Sequence, residues 1–169
     1  MSISVTGTTR RTGPQLTARQ IWDAVARQSF AVLSHVTPAG APRSSGVMYA
    51  VSDGRMYVVV AADSWKARHI AAHGKVAVTV LVRRGGVMSL VLPIPPATIS
   101  FPAQAVVRSA ELVRSPELAA LARLVPAERR KLCSIIELSP AGHYVTYGVG
   151  VPLRRMRDTA AARDRVAVA

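Results

Sequence analysis

Acidic residues are scarce in this 169-residue sequence, where nine Asp and Glu accompany 22 Lys and Arg and give a formal net charge of +13. Because the carboxylates are few and form no obvious catalytic pair, the sequence does not predict acid–base hydrolysis. A basic chain can bind nucleic acid. However, only 5% of the residues are aromatic and no nucleic-acid motif is present, so nucleic acid is not an expected partner.

Cysteine is nearly absent, and the single Cys133 excludes an intramolecular disulfide. One free thiol is typical of a reducing compartment, which favours a cytoplasmic protein. Cys133 opens an apolar stretch, so we expect it in the core rather than acting as a nucleophile. The first twenty residues lack the apolar core of a secretory signal, and the apolar run at 87–92 is far too short to span a membrane. We therefore expect a soluble protein.

Common catalytic motifs are missing as well. The sequence has no G-x-S-x-G elbow, no P-loop and no G-x-G-x-x-G. His69 and His73 have a spacing that can bind metal on a helix, but no nearby carboxylate or cysteine completes a site, so we expect no metal and two solvated histidines. This shortage of catalytic groups favours a cofactor that carries its own redox chemistry.

The pattern of apolar residues predicts one mainly β domain with peripheral helices. Half of the residues are hydrophobic, which is enough for a substantial core. Residues 1–14 have no periodicity and are predicted to form a mobile tail before a single domain over 15–169. Thr17, Ser115 and Asp158 are predicted to cap helices. The proline-rich segment at 92–96 is predicted as a loop, either over a pocket or as a simple edge connection.

The stretch from Phe30 to Val82 carries the clearest pattern. Apolar and β-branched runs predict four strands, with a helix before the last of them, and the Asp53-Gly54 pair predicts a hairpin turn. Ser64 suits the N-cap of the helix and Gly74 suits its left-handed C-terminal position.

The start of this helix is a candidate anion site. Its first turn would present free N–H groups and the Ser64 hydroxyl beside the Lys66 amine, with Arg68 close by. Dipole, donors and charge together suit a phosphate group. An ordinary capped surface helix with solvated basic residues is the alternative interpretation.

The order of these features resembles the pyridoxamine-phosphate-oxidase-like family of flavin-binding split β-barrels, which includes FMN proteins and F420-dependent reductases. The features that carry the resemblance are the Pro38-Ala39-Gly40 turn, the strand opening with Arg43, the Asp-Gly turn, and Ser64-Trp65-Lys66 before a helix. The resemblance covers about a third of the chain and implies an antiparallel split β-barrel. Trp65 stands where the family has a second basic residue, and Met48 falls where the oxidase subgroup has a lysine.

The resemblance also implies site residues. An arginine at the position of Arg43, with Ser44 beside it, and the motif Ser64-Trp65-Lys66 with Arg68 nearby would hold the phosphate of the cofactor. Val59 and Val60 would contact the flavin ring. Tyr147 and Arg157 have the spacing of an aromatic and an arginine that line the flavin site from the partner subunit in oxidase members. In this arginine-rich tail, solvated charge is the other interpretation of Arg157.

We therefore expect a homodimer that binds FMN near its subunit interface and acts by hydride transfer on a small-molecule substrate. The alternative cofactor is F420, whose acidic tail would suit the many arginines. A non-enzymatic basic binding protein, for haem or nucleic acid, is the rival from a different class.

Overall fold

A computed structural model of the protein describes residues 16–84 and 96–168, apart from the side chains of residues 117, 120, 124 and 127. The tail predicted over 1–14 lies outside the described residues. So do the apolar run at 87–92 and most of the proline-rich segment.

The described chain contains three α-helices and eight β-strands. In chain order these are α1 (Ala18–Ala26), β1 (Phe30–Val36), β2 (Pro42–Ser52), β3 (Arg55–Ala61), α2 (Trp65–His73), β4 (Lys75–Val82), β5 (Ala97–Ser109), α3 (Ala119–Leu124), β6 (Cys133–Pro140), β7 (His143–Tyr147) and β8 (Arg163–Ala167). Short 3-10 turns surround α3.

Six of the strands close into a barrel. The order is β4-β1-β2-β3-β6-β5, and pairing of β5 with β4 completes the ring, while β7 and β8 extend the sheet from β5. Every strand pair is antiparallel. The predicted antiparallel split β-barrel with peripheral helices is confirmed.

Pro102 lies inside β5 even though proline lacks the N–H that a central strand needs. On one side it faces Ala77 of β4. On the other side β5 pairs with β7 only as far as Ser100, and pairing with β6 begins at Ala103. Proline is tolerated because it falls where the strand changes partner.

The barrel interior is filled by alternating apolar side chains, among them Leu33, Val58 and Val78, which are fully buried. Helix α1 packs on the barrel through the buried Ile21 and Val25. The Tyr49 hydroxyl donates a 2.7 Å hydrogen bond to the Val25 carbonyl oxygen, which ties the end of α1 to β2.

A second, smaller cluster lies on the outside of β3 and β6. The segment between β5 and β6 covers these strands, and the buried side chains of the cluster are Tyr57, Val113, Leu118, Leu121 and Ile135. The outer face of β1 and β2 has no such cover in the described chain, where Phe30 and Met48 are about half exposed.

Several local predictions are confirmed. Thr17 forms a capping box with Gln20, and the Ser64 side chain caps α2. Gly74 ends α2 with a left-handed φ of 63°. Asp53 and Gly54 both have positive φ, 48° and 70°, as the predicted hairpin turn requires.

Other local predictions are wrong. Ser115 makes no side-chain cap, and Pro116–Leu118 forms a 3-10 turn before α3. Asp158 accepts hydrogen bonds from the N–H groups of Ala160 and Ala161. No helix follows it, because the chain then pairs with β7 as β8.

Cys133 is half-buried rather than a core residue, and its thiol donates to the Arg129 carbonyl oxygen. None of the helices in the described residues is long and apolar enough to cross a membrane.

Candidate functional site

The start of α2 presents the donors predicted for it. The Ser64 hydroxyl accepts a 3.2 Å hydrogen bond from the Ala67 N–H, which leaves the earlier amides of the first turn free of intrahelical partners. Lys66, one turn from the buried Ile70, is half-buried itself, and this burial lowers the pKa of its amine. A cation therefore lies beside the positive end of the helix dipole.

The position of α2 on the barrel brings other basic groups to this point. The helix packs against β1, β3 and β5 through the buried Ala67 and Ile70. His35, near the end of β1, lies directly opposite Arg43 in the β1–β2 register. Residues directly opposite one another on antiparallel strands have their side chains on the same face of the sheet. His35 and Arg43 are therefore neighbours.

His35 connects this strand pair to α2. Its Nε2 lies 3.4 Å from Nδ1 of His69, and its own Nδ1 is buried without a hydrogen-bond partner. The pKa of His35 is lowered first by burial, and then by the positive charges of His69, Lys66 and Arg43. We call these four side chains the basic cluster.

His69 differs from the solvated residue that the sequence predicted. It is half-buried against His35, whereas His73, one turn later, is exposed. Within the described chain, no group of three or more His, Cys, Asp and Glu could hold a metal ion.

The basic cluster has no acidic partner among the described residues, where both ion pairs end on Glu137 of β6. Ser45 lies two residues after Arg43 on the same face of β2, and its hydroxyl is also buried without a partner. The cluster therefore combines positive charge with unused hydrogen-bonding groups, which suits an anion.

Trp65, the first residue of α2, stands out from the surface with 69% of its area exposed. The Arg68 guanidinium lies 4.0 Å from the centre of its ring, and the His69 ring is 5.9 Å away. Arg68 also donates a 3.2 Å hydrogen bond to the Asp63 carbonyl oxygen. The tryptophan is thus an exposed aromatic face beside the anion site.

An apolar cavity of about 610 Å³ extends to Asp63, the residue just before the Ser64 cap. Its walls are the end of β3 with the residues that lead to α2, and the chain that enters β6; the lining residues are Val59, Val60, Ala61, Ala62, Asp63, Arg129, Lys131, Leu132 and Cys133. Its size falls within the range of about 300–1,000 Å³ that is usual for small-molecule sites.

The structure brings most of the predicted site residues together. Ser64, Trp65, Lys66 and Arg68 share the first turn of α2, Arg43 joins Lys66 through the two histidines, and Val59 and Val60 line the adjacent cavity.

Two of the predicted site residues lie elsewhere. Ser44 is on the opposite face of β2 from Arg43, where its hydroxyl lies 2.7 Å from that of Ser34. Arg157 is exposed in the connection from β7 to β8, and no contact among the described residues joins it to α2.

The sequence interpretation did not include His35. Its only signal was its distance from the Pro38-Ala39-Gly40 turn. With that turn at the centre, His35 and Arg43 fall at matching positions on the two strands.

Solved structures of similar fold support the barrel assignment. A haem binding protein from Mycobacterium smegmatis matches with a TM-score of 0.64 and 16% identity, over 92% of this chain and 59% of that protein. An F420 reductase matches with a TM-score of 0.54 and 17% identity, over 76% of this chain and 95% of that protein. A FAD-binding protein from Mesorhizobium loti matches with a TM-score of 0.59 and 15% identity, over 74% and 90%.

No protein-family model matches the chain, and neither does any curated protein. The identities to these three solved structures are low, so the matches show a shared fold.

Proposed function

We propose that this chain, which has the split β-barrel fold of the pyridoxamine-phosphate-oxidase-like proteins, binds FMN and acts as an oxidoreductase on a small molecule. The observation that carries the proposal is the basic cluster, which has no acidic partner in the described chain and lies next to the start of α2 and an apolar cavity.

The phosphate would bind at the start of α2. The free amides of the first turn, the Lys66 amine and the Arg43 guanidinium supply donors and charge, and Ser64 holds the turn in place. Charge-assisted hydrogen bonds of this kind are about twice as strong as neutral ones. The residues present therefore fit a phosphate-bearing cofactor.

The ring would lie in the adjacent cavity, against Val59 and Val60. When bound, a flavin supplies hydride transfer, and the protein contributes binding, orientation and the exclusion of water. Val60 is 8% exposed and belongs both to the cavity lining and to the barrel core. The exposed Leu132 belongs to the opposite wall, and its side chain can cover an apolar ring.

F420 in the same fold is the alternative cofactor. Arg129 and Lys131 line the cavity beside the ring position, and a longer acidic tail would find basic partners there. Haem is the remaining candidate, because one similar solved structure is a haem binding protein. Absorption spectra of the purified protein, alone and after adding FMN, F420 or haem, would separate the three.

A homodimer is part of the same proposal. Phe30 of β1 lies between two neighbouring strands. It pairs with Met48 of β2 on one side, and the register of β1 with β4 places Leu81 on the other side. These three apolar side chains are 47%, 45% and 37% exposed on the outer face of the barrel. A second copy that covered this stripe would bury it, and the family resemblance implies that the second copy's Arg157 would line the flavin site. A cytoplasmic location, where Cys133 stays reduced, belongs to the proposal as well.

Lys66→Ala tests the phosphate site directly. Since a hydrogen bond to a charged group contributes roughly 1.5–3 kcal/mol, we expect FMN to bind about ten- to a hundredfold more weakly. Riboflavin has the same ring without the phosphate, so its affinity should not change. Both ligands can be titrated by flavin fluorescence.

Lys75→Ala is the matched control, because Lys75 is exposed at the start of β4 and should affect neither ligand. Equal FMN affinity in wild type and Lys66→Ala would remove the amine from the site and refute the proposed phosphate position.

The dimer is tested by sedimentation equilibrium. Wild type should be a dimer at micromolar concentration, and Phe30→Ser should shift it toward monomer. Val106→Ser is the control, since Val106 is 45% exposed on β5, away from the stripe. A monomeric wild type that binds FMN tightly would rule out a shared site.

A further inference from the structure

We propose that the His35–His69 pair is part of the anion site and takes up one proton when a doubly charged anion binds. The site would then select a terminal phosphate monoester over a singly charged phosphodiester. This inference rests on the proposed function, because the anion is the one bound at the start of α2.

The geometry links four basic side chains in a row. Lys66 and His69 are three residues apart on α2, and residues with this spacing are neighbours on the helix surface. His69 Nδ1 lies 3.4 Å from His35 Nε2. His35 in turn lies opposite Arg43 in the strand register. An anion near Lys66 is therefore also near the histidine pair.

The groups packed around the pair are positive or occupied elsewhere. Helix α2 packs against β1, β3 and β5. Outside the basic cluster, the other ionisable side chains of α2, β3, β4 and β5 have contacts of their own or are exposed. Arg68 stacks on Trp65, and Tyr57 lies in the second apolar cluster. Arg55 and Arg108 pair with Glu137, whereas His73 and Lys75 are exposed. Asp63, just before α2, is exposed. In the described chain no carboxylate forms an ion pair with the basic cluster.

These surroundings oppose protonation of His35 in the free protein. Burial and the charges of Lys66 and Arg43 both disfavour an imidazolium at His35, whose pKa is lowered. A hydrogen bond between the two rings needs one nitrogen to donate and the other to accept. The pair can therefore take up one extra proton and keep this hydrogen bond, but not two.

A bound dianion opposes this repulsion. Its two negative charges offset those of Lys66 and Arg43, which lower the pKa of His35, so proton uptake by the pair becomes more favourable. By linkage, the proton strengthens anion binding by the same factor. A monoanion offsets only one of these two positive charges and has less effect. Since a phosphate monoester carries about 1.5–2 negative charges near neutral pH, and a diester carries one, the pair favours the monoester of FMN.

Sulfate and methyl sulfate are the probes, because they differ by one charge and neither titrates between about pH 5.5 and 8.5, where histidine does. Imidazole NMR titration of the wild-type protein should show the midpoint of the His35–His69 pair rising by about 0.5–1 pH unit with saturating sulfate. The midpoint should move much less with methyl sulfate. His73 and His143 are exposed and serve as internal controls that should not move.

The affinities should follow the same shift. Sulfate should bind about three- to tenfold more tightly at low pH than at high pH in wild type and in His73→Ala. This pH dependence should disappear in His69→Gln, which keeps a polar side chain of similar size.

The outcomes separate this inference from the proposed function. If FMN binding depends on Lys66 but the midpoint of the histidine pair does not move with sulfate, the inference is overturned and the phosphate site stands. If neither FMN nor sulfate binds, both are overturned. Should His69→Gln fold poorly, the titration of wild type decides alone.

Discussion

Two groups of basic side chains on the same barrel meet opposite conditions. Arg55 of β3 and Arg108 of β5 each contact one oxygen of Glu137 at 3.0 Å, and Glu137 is buried at 8% exposure. Lys66 and Arg43 lie close to His35 and His69 without an ion pair to any described carboxylate. The first group is paired with a carboxylate within the fold, while the second has no such partner among the described residues.

The difference separates basic residues that are paired within the fold from those that we propose bind a ligand. A buried carboxylate between two arginines has its charge satisfied locally. In the described chain, the basic cluster instead has lowered pKa values at His35 and Lys66 and an unpartnered polar atom on His35, with another on Ser45, two residues after Arg43. These features support the proposed anion site. Four predictions test this comparison.

The largest effect is expected when Arg55 and Arg108 lose the carboxylate of Glu137. Glu137→Ala removes both ion pairs, and we expect the free energy of unfolding to fall by about 2–3 kcal/mol. In a chain of this length that lowers Tm by roughly 5–10 °C. Glu128→Ala, which changes an exposed glutamate, is the control for thermal denaturation. An unchanged Tm in Glu137→Ala would show that the ion pairs are not structural.

Arg43→Ala should give the reverse result. FMN should bind about tenfold more weakly, because one charge is lost from the site. The free energy of unfolding should stay within about 0.5 kcal/mol, since the arginine is exposed. Fluorescence titration and urea denaturation measure the two quantities. A large loss of stability with unchanged FMN affinity would place Arg43 with the structural arginines.

Single removal of either structural arginine should cost less. Arg55→Ala and Arg108→Ala should each lower the free energy of unfolding by about 1 kcal/mol, because both arginines are half exposed and Glu137 keeps one partner. The double variant should lose more than the sum, since it leaves a buried carboxylate unpaired. Simple additivity in urea denaturation would contradict the shared role of Glu137.

The smallest effect concerns pH. The pKa of His35 in the folded protein is lowered from its ordinary value of 6.5. At higher pH both states are neutral, and as pH falls below 6.5 the unfolded state takes up a proton that the folded state resists. Wild type should therefore lose stability on acidification, and the loss should be smaller in His35→Gln. Urea denaturation above and below pH 6.5, in the absence of phosphate and sulfate, measures how much stability each protein loses on acidification. If the free energy of unfolding changes equally with pH in wild type and His35→Gln, then His35 is not responsible.

Features that depend on near neighbours could be predicted from the sequence alone. The caps at Thr17 and Ser64, the left-handed Gly74 and the Asp53-Gly54 turn follow from what a few adjacent residues can hydrogen-bond or adopt sterically. The antiparallel barrel was predicted from a resemblance in the order of such features. Ser115 and Asp158 carry similar local signals, but there the chain turned to pack on β3 or to pair with β7 instead.

The contacts between distant residues arise from the tertiary structure. Closure of β5 on β4 and the half-burial of Cys133 depend on strand pairing across tens of residues. The contact of His35 with His69 joins residues 34 positions apart. It exists because α2 packs across the end of β1, and the burial of apolar side chains that fixes this packing has no signature at either histidine.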